Sequence, residues 1–187
     1  MIRLLNRGVV FFLALSLVYA CKHKKEQLHT SKHPAEHEKH TKHEGSAGEV
    51  ALMQKLGLDK KEIAHHKLYS FVNEWYGVPY KYGGCTKEGV DCSCFVCEMY
   101  KKVYQNGNLN RTAGEMFKAC EQISADDAKQ GDLFFFKING DKISHVGVCL
   151  KKDVFVHAST SKGVMINSIE EAYYKKYFFC AGRIKKT

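Results

Sequence analysis

The sequence has little proline and no long uncharged run at its start. Only two of its 187 residues are proline, which excludes a long proline-rich linker. The uncharged stretch from Gly8 to Cys21 is shorter than the roughly 20 apolar residues that a spanning helix needs, so a permanent transmembrane anchor is disfavoured. Hydrophobic residues make up 44% of the chain and aromatic residues 12%, which is enough to bury a globular core. We therefore expect one domain after a targeting segment.

The first residues have the pattern of an export signal. Arg3 and Arg7 form a positive segment, an apolar stretch follows, and Val18-Tyr19-Ala20 leads to Cys21. A cysteine in this place resembles the bacterial lipobox, which implies removal of residues 1–20 and acylation of Cys21. Two or three acyl chains would hold the protein stably on a membrane, because each buried methylene contributes ~0.8 kcal/mol. Ordinary secretion and an uncleaved anchor are the alternatives.

Residues 21–48 are expected to form a flexible tether. The segment after Cys21 is polar throughout and has almost nothing to bury, which is typical of disordered chain. Six histidines in it could bind zinc or copper weakly: His23, His29, His33, His37, His40 and His43. Because no fold fixes their geometry, a solvated spacer is the favoured interpretation. We predict no specific metal site and no cofactor.

The pattern of the remaining chain changes from helical to strand-like. Residues 51–76 carry two helix-like stretches broken at Gly57-Leu58-Asp59, and Asp91 is a favoured N-cap for a helix that starts at Cys92. A short helix around residues 114–120 is followed by strands expected at Leu133–Lys137, Ser144–Leu150, Val154–Ala158, Val164–Asn167 and Tyr177–Ile184. Helices followed by strands predict an α+β domain over residues 49–187, with N-terminal helices packed on an antiparallel sheet.

One cysteine and two histidines are candidates for nucleophilic catalysis. A thiol that cleaves amides needs a base within hydrogen-bond reach and a group that orients this base. Cys92 lies at a helix N-terminus, so the helix dipole and a nearby imidazolium should lower its pKa below the ordinary value of ~8.5. His145 and His157 are the histidines of the strand half and lie on consecutive strands. Taken alone, each is more simply explained as a core or edge residue.

The two histidines can cooperate only in one register. A two-residue loop at Lys151-Lys152 would put His145 and His157 on opposite faces of the sheet, since strand side chains alternate. A three-residue loop or a bulge would instead bring them opposite one another, with Cβ atoms ~5 Å apart. A base with an orienting partner requires the second arrangement.

Five motifs occur together in an order and spacing that resemble the NlpC/P60 family. They are Tyr80-Lys81-Tyr82-Gly83-Gly84, Gly89-Val90-Asp91-Cys92-Ser93, Gly131-Asp132-Leu133, Ser144-His145-Val146-Gly147-Val148 and Val156-His157-Ala158-Ser159. The resemblance covers about residues 76–184. The stretch from Val156 to Val164 is similar to the Spr- or MepS-like murein endopeptidase lipoproteins of this family.

The resemblance implies a papain-like α+β fold and hydrolysis of amide bonds in peptidoglycan stem peptides or cross-links. It assigns Cys92 as the nucleophile, His145 as the base and His157 as the residue that orients the base. It also implies that Tyr80 lies near the thiol and helps to bind the oxyanion, with a core aromatic as the alternative. Which bond is cut stays open. A non-catalytic wall-binding module and a related amidase or acyltransferase on the same fold are the rival functions.

The expected partners and location follow from the same features. The formal net charge of the chain is +9. Outside the cytoplasm a basic domain has little access to nucleic acid, so its acidic partners would be lipid headgroups or the carboxylates of stem peptides. We expect a monomer, anchored by lipid to a membrane of the cell envelope. Lys22 after Cys21 is compatible with the periplasmic face of an outer membrane.

The sequence departs from the family pattern at two positions and is rich in cysteine. Glycine is usual in place of Cys94, and proline in place of Asn110. The seven cysteines besides Cys21 fit one free thiol and up to three bridges, with buried free thiols as the default for most. A metal or iron–sulfur site on Cys92, Cys94 and Cys97 is disfavoured, because one short helix cannot easily aim all three at one ion. Arg111 could pair with a substrate carboxylate, but an ordinary salt bridge is favoured.

Overall fold

The structure is a computed structural model that describes residues 46–61 and 67–185. The expected export signal (residues 1–20), the lipidation site Cys21 and the tether up to residue 45 lie outside the described residues, so they stay predictions. Within the described ranges, no helix combines the length and the apolar character needed to cross a bilayer.

Five helices are present in the described part of the chain: α1 (Ala47–Leu56), α2 (Lys67–Trp75), α3 (Cys92–Tyr104), α4 (Ala113–Ala119) and α5 (Ala172–Tyr177). Three of them begin at a residue whose side chain accepts a hydrogen bond from the first turn: Ser46, Asp91 and Thr112. Helix α1 ends at Gly57, which has a left-handed φ of 60°, as the break expected there requires. The predicted helix start at Cys92 is confirmed.

An antiparallel sheet of six strands follows the order β3-β8-β4-β5-β6-β7. A separate hairpin joins two short strands just before α3. The strands are β1 (Cys85–Thr86), β2 (Gly89–Val90), β3 (Cys120–Ile123), β4 (Leu133–Phe136), β5 (His145–Lys151), β6 (Val154–Ser159), β7 (Gly163–Ser168) and β8 (Phe178–Ile184). The predicted α+β class with an antiparallel sheet is therefore confirmed. The sequence interpretation missed β1, β2, β3 and α5, each of which is too short to show a clear period.

Helix α3 lies at the centre of the main core and packs against β5 and β6. Its residues Phe95, Val96 and Met99 are fully buried, and burial of each such side chain contributes roughly 1.5–3 kcal/mol. The other face of the sheet is also covered, because Phe134 and Phe136 pack there with α5. Strand β4 therefore buries both of its faces, which explains its uninterrupted apolar sequence.

Candidate active site

Asp91 fixes the turn from which Cys92 emerges. One carboxylate oxygen, Oδ1, accepts the backbone N–H of Cys94 at 2.7 Å, which caps α3. The other, Oδ2, accepts the backbone N–H of Gly83 at 3.0 Å and so holds the preceding loop. Cys92 is the first residue of α3 and is 8% exposed. The helix thus presents its first thiol to a cavity at its N-terminus.

The glycines of the Tyr-Lys-Tyr-Gly-Gly motif allow this loop to close tightly. Gly83 has a left-handed φ of 72°. A Cβ on Gly84 would lie 2.4 Å from the carbonyl oxygen of Gly89, so only glycine fits. The loop places Tyr80 beside β2 by a backbone bridge to Val90. Burial raises the pKa of Tyr80, and the charge of a Cys92 thiolate raises it further, so its hydroxyl stays protonated near the thiol.

Two adjacent cavities hold the candidate residues. The Cys92 cavity, of about 550 Å³, is lined by Cys92, Asp91 and Arg111 among others. The His145 cavity, of about 560 Å³, is lined by His145 and His157 among others. Both cavities share the side chains of Tyr80, Tyr82 and Ser144, so together they form one groove. All four residues expected from the sequence, namely Cys92, His145, His157 and Tyr80, therefore line this groove.

Strand β5 connects the thiol with the first histidine. The backbone N–H of Val146 faces the Cys92 sulfur and favours its thiolate. Val146 directly follows His145 in β5, so the amide that faces the thiol and the buried imidazole belong to neighbouring residues of one strand. Strand β5 pairs with β4 on one side and with β6 on the other, which fixes the position of both residues.

The direction of the Cys92 pKa differs from the sequence expectation. Burial raises the pKa of the thiol to about 11, and the backbone N–H groups of Val146 and Ser93 offset only part of this effect. Burial, together with the neighbouring His157, lowers the pKa of His145 well below 6.5. The expected fall of the thiol pKa below ~8.5 is therefore wrong for this arrangement. Burial and the charge of the nearby Asp91 outweigh the backbone N–H groups at the start of α3, so both the thiol and the His145 imidazole favour their neutral forms.

His145 and His157 form a direct hydrogen bond. The distance from His145 Nε2 to His157 Nδ1 is 2.7 Å, and both rings are buried. The other nitrogen of His157, Nε2, lies 3.1 Å from Asn167 Oδ1 and 3.1 Å from the Tyr174 hydroxyl. Because Nε2 of His145 is occupied by this bond, its Nδ1 remains for a proton from the thiol. Burial lowers the pKa of His157 to about 4, so this ring is neutral as well.

The two histidines share a face through a bulge between β5 and β6. The register of the two strands shifts between Cys149 and Lys151, as the bulge alternative required. The predicted direct opposition is wrong, however, because His157 lies across from Gly147 and only diagonally from His145. A Cβ on Gly147 would lie 3.1 Å from the His157 Cβ and 2.6 Å from the Phe155 ring. The absent side chain leaves room for the diagonal contact.

Sequence interpretation missed Asn167 and Tyr174 as members of the site. Asn167 lies on β7 opposite Phe155, which puts it on the same face as His157. A predicted hairpin between β6 and β7 could have revealed this neighbour by strand alternation. Tyr174 belongs to helix α5, which was not predicted, and no pattern in the neighbouring sequence indicates its contact with His157.

Arg111 forms a salt bridge with Asp91, as favoured from the sequence. Nη1 and Nη2 reach the two carboxylate oxygens, and Nη1 also donates to the Ser93 hydroxyl at 2.7 Å. Burial alone would raise the pKa of Asp91, but hydrogen bonds from Arg111, Cys94 and Ser93 outweigh it and keep the pKa low. Asp91 is therefore charged close to the thiol.

Cys94 forms a disulfide with Cys85. This bond ties the β1 strand to the first turn of α3 and uses the residue that replaces the usual glycine. Among the described residues, five cysteines are free: Cys92, Cys97, Cys120, Cys149 and Cys180. Glu98 lies close to the two bridged sulfurs. In the described ranges, these three residues are the one group of three side chains that could together ligate a metal ion. Since the sulfurs are bonded to each other, neither is a thiolate ligand here.

Comparisons with known proteins agree with this geometry. The model of the NlpC/P60 family matches residues 77–183, more than half of the chain. "Probable endopeptidase NlpC" of Escherichia coli K12 is 41% identical over 114 residues, which cover 60% of this chain and 73% of that protein. "Murein DD-endopeptidase MepS/Murein LD-carboxypeptidase" of the same strain is 39% identical over 111 residues, 59% of this chain and 58% of that one. A Staphylococcus aureus structure of the NLP/P60 family, described as similar to lipoprotein, has a TM-score of 0.58 at 25% identity, covering 70% of this chain and 43% of that one.

Proposed function

Because the chain belongs to the NlpC/P60 family, we propose that it is a peptidoglycan hydrolase, a cysteine endopeptidase that cuts amide bonds in murein stem peptides or cross-links. The observation that supports the proposal is the groove formed by two adjacent cavities, one lined by Cys92 and the other by a buried, hydrogen-bonded pair of histidines. The two E. coli relatives, both named endopeptidases, support this reaction class.

The reaction begins with the neutral thiol and the neutral imidazole. As the Cys92 sulfur attacks the carbonyl carbon of the amide, its proton passes to Nδ1 of His145. The carbonyl oxygen becomes an oxyanion, to which the Tyr80 hydroxyl donates a hydrogen bond. Collapse of this intermediate breaks the carbon–nitrogen bond, and His145 passes the proton to the leaving amine. An acyl-enzyme remains as a thioester on Cys92.

Water completes the cycle with the same residues. Nδ1 of His145 takes a proton from water while the water oxygen attacks the thioester carbonyl. The sulfur leaves and recovers the proton from His145, which restores the thiol and releases a carboxylic acid that ionises in solvent. His157 keeps the His145 ring in one orientation through both steps and stabilises the imidazolium that forms transiently.

The proposed location is the cell envelope. Acylation of Cys21 would hold the domain at a membrane through the tether that follows this residue, so that the enzyme stays next to its wall substrate. We propose a monomer, since one chain supplies every residue of the mechanism.

Digestion of purified peptidoglycan tests the function. The wild-type chain should release new amine and carboxylate termini that mass spectrometry can assign to one bond. Cys92→Ser and His145→Ala should each lower the rate by at least roughly 100-fold, because the nucleophile and the base are lost. Cys97→Ser is the matched control, since this thiol lies on the same helix and faces the carbonyls of Leu109 and Asn110 instead. Undiminished digestion by Cys92→Ser would refute the cysteine mechanism, and wall binding without any digestion by the wild type would favour the non-catalytic module.

A further inference from the structure

A chain of hydrogen bonds continues beyond His157 to the edge of the domain. Asn167 connects His157 with Glu171, and Glu171 connects with Lys55 on α1. We propose that Asn167, oriented by Glu171, is a positioning residue that sets the tautomers of both histidines and so leaves Nδ1 of His145 free to accept the thiol proton. The proposal rests on the proposed function, because it assigns a role relative to the Cys92–His145 reaction.

The ionised carboxylate of Glu171 fixes one end of the chain. Its Oε1 accepts the backbone N–H of Ser168 at 3.0 Å and the Lys55 ammonium at 2.9 Å, and its Oε2 accepts Asn167 Nδ2 at 2.6 Å. Burial would raise the pKa of Glu171, but these hydrogen bonds outweigh it and hold the pKa below its ordinary value. A carboxylate accepts and cannot donate, so the amide nitrogen of Asn167 must face it.

The orientation of Asn167 then determines each ring in turn. With Nδ2 towards Glu171, its Oδ1 faces His157 and can only accept, so His157 carries its proton on Nε2. The neutral ring has a bare Nδ1, which accepts a hydrogen bond from His145 Nε2 at 2.7 Å. His145 therefore has its proton on Nε2 and a lone pair on Nδ1. In the opposite tautomer, Nδ1 would already carry a proton and could not accept another from the thiol.

Tyr174 contacts the same nitrogen but cannot set the tautomer. Its hydroxyl lies 3.1 Å from His157 Nε2 and can either donate or accept, so it fits both forms of the ring. Asn167 differs because the charge of Glu171 forbids the flip of its amide. Asn167 is 6% exposed, so water does not readily replace it. This difference makes Tyr174→Phe the control for substitutions in the chain.

Nitrogen NMR on histidine-labelled full chain in detergent reads the tautomers directly, without any need for turnover. In the wild type at pH 7.5, both rings should carry the proton on Nε2, with resonances assigned by His145→Gln and His157→Gln. Glu171→Met frees the Asn167 amide to flip, so a second tautomer should appear in both rings. Asn167→Asp combined with Glu171→Gln exchanges acid and amide along the chain and should restore the single tautomer. Tyr174→Phe should leave it unchanged.

Kinetics on peptidoglycan fragments gives the second readout. Glu171→Met should lower kcat by roughly 10-fold or more, less than the 10²–10⁴ that general acid–base catalysis contributes, while KM stays similar. The exchanged double variant should recover most of kcat. A wild-type His145 with its proton on Nδ1, or a Glu171→Met chain that keeps the single tautomer, would overturn the proposal. Loss of activity in Cys92→Ser is a separate result, so failure of the tautomer assignment and failure of the cysteine mechanism can be told apart.

Discussion

Arg111 donates two hydrogen bonds of 3.0 Å to Asp91, from Nη1 to Oδ1 and from Nη2 to Oδ2. The same carboxylate caps α3 and holds the loop that carries Tyr80 through Gly83. The ion pair therefore supports both walls of the Cys92 cavity. Its carboxylate is buried, so loss of the guanidinium would leave a charge without its main partner.

Substitution of Arg111 should lower both stability and activity. Arg111→Met is expected to reduce the free energy of unfolding by about 1–3 kcal/mol, since hydrogen bonds to a charged group are lost at a half-exposed site. It should also lower kcat/KM for peptidoglycan. Arg183→Met is the matched control, because Arg183 also forms a bidentate hydrogen-bonded ion pair, with Asp132, and this pair lies outside the two cavities. Urea denaturation should show similar losses in the free energy of unfolding for both variants. Only Arg111→Met should lower kcat/KM of the folded protein. An equal loss of kcat/KM in both variants would argue that the role of Arg111 is purely structural.

Addition of one methyl group at Gly147 should disturb the histidine pair. In Gly147→Ala the new Cβ would lie 2.6 Å from the Phe155 ring and 3.1 Å from the His157 Cβ, so both must shift. We expect a loss of about 1–3 kcal/mol in the free energy of unfolding, typical of an overpacked core, together with a lower kcat. Gly107→Ala, where the added carbon meets nothing within 4 Å, should be close to neutral in both measurements. Full activity of Gly147→Ala would show that the diagonal contact tolerates displacement.

Stability should fall as the pH drops from 6.5 towards 4. The pKa of His157 is lowered to about 4 and that of His145 lies well below 6.5, so the unfolded chain takes up protons in this window while the folded chain does not. The free energy of unfolding then decreases by up to ~1.4 kcal/mol per pH unit for each histidine involved. Urea denaturation from pH 7.5 to 4.5 should give a shallower slope for His157→Gln than for the wild type. Identical slopes would mean that His157 titrates alike in both states.

Alkylation should reveal a neutral thiol in the resting protein. Because the pKa of Cys92 is raised to about 11, its labelling by iodoacetamide should be slow at pH 7 and still increase above pH 9. His145→Ala should change the rate at pH 7 only slightly, since the ring does not hold a thiolate there. Mass spectrometry of the labelled peptide separates Cys92 from the half-buried Cys97. A rate that levels off below pH 8 would instead indicate a stable thiolate–imidazolium pair.

The lipid anchor gives a prediction about residues outside the described ranges. Metabolic labelling with a palmitate analogue should tag the wild-type chain and Cys92→Ser but not Cys21→Ser, because acylation requires the thiol of Cys21. The labelled protein should fractionate with membranes. An unmodified mature N-terminus at another residue would exclude the lipoprotein interpretation.

The sequence could predict those features that depend on local pattern. An N-cap at Asp91 and a strand period around His145 are visible in neighbouring residues, and both are confirmed. The diagonal placement of His157 depends on a bulge, which adds a residue without a clear sequence signature. The pKa of the Cys92 thiol is raised because distant parts of the chain bury it. Its position at a helix N-terminus, which is all that the sequence shows, predicted a lowered pKa instead.

Partners that are far apart in the sequence were the hardest to foresee. The disulfide from Cys94 to Cys85 could not be chosen among the many pairings that seven cysteines allow. The connection from His157 to Glu171 passes through Asn167, an ordinary polar residue of a short strand. Only the antiparallel pairing of β6 with β7 brings these groups together.

The register of strand β5 also determines whether a folded molecule would be active. The side chain of His145, which lines the groove, and the amide of Val146, which faces the Cys92 sulfur, belong to consecutive residues of this strand. A slip of one residue against β4 would turn the imidazole to the opposite face and replace the amide at the same time. Misregistered molecules would therefore be inactive rather than altered in specificity. Turnover per mole of protein would then measure the fraction of molecules in which β5 has the correct register, even if circular dichroism and solubility did not distinguish the two forms.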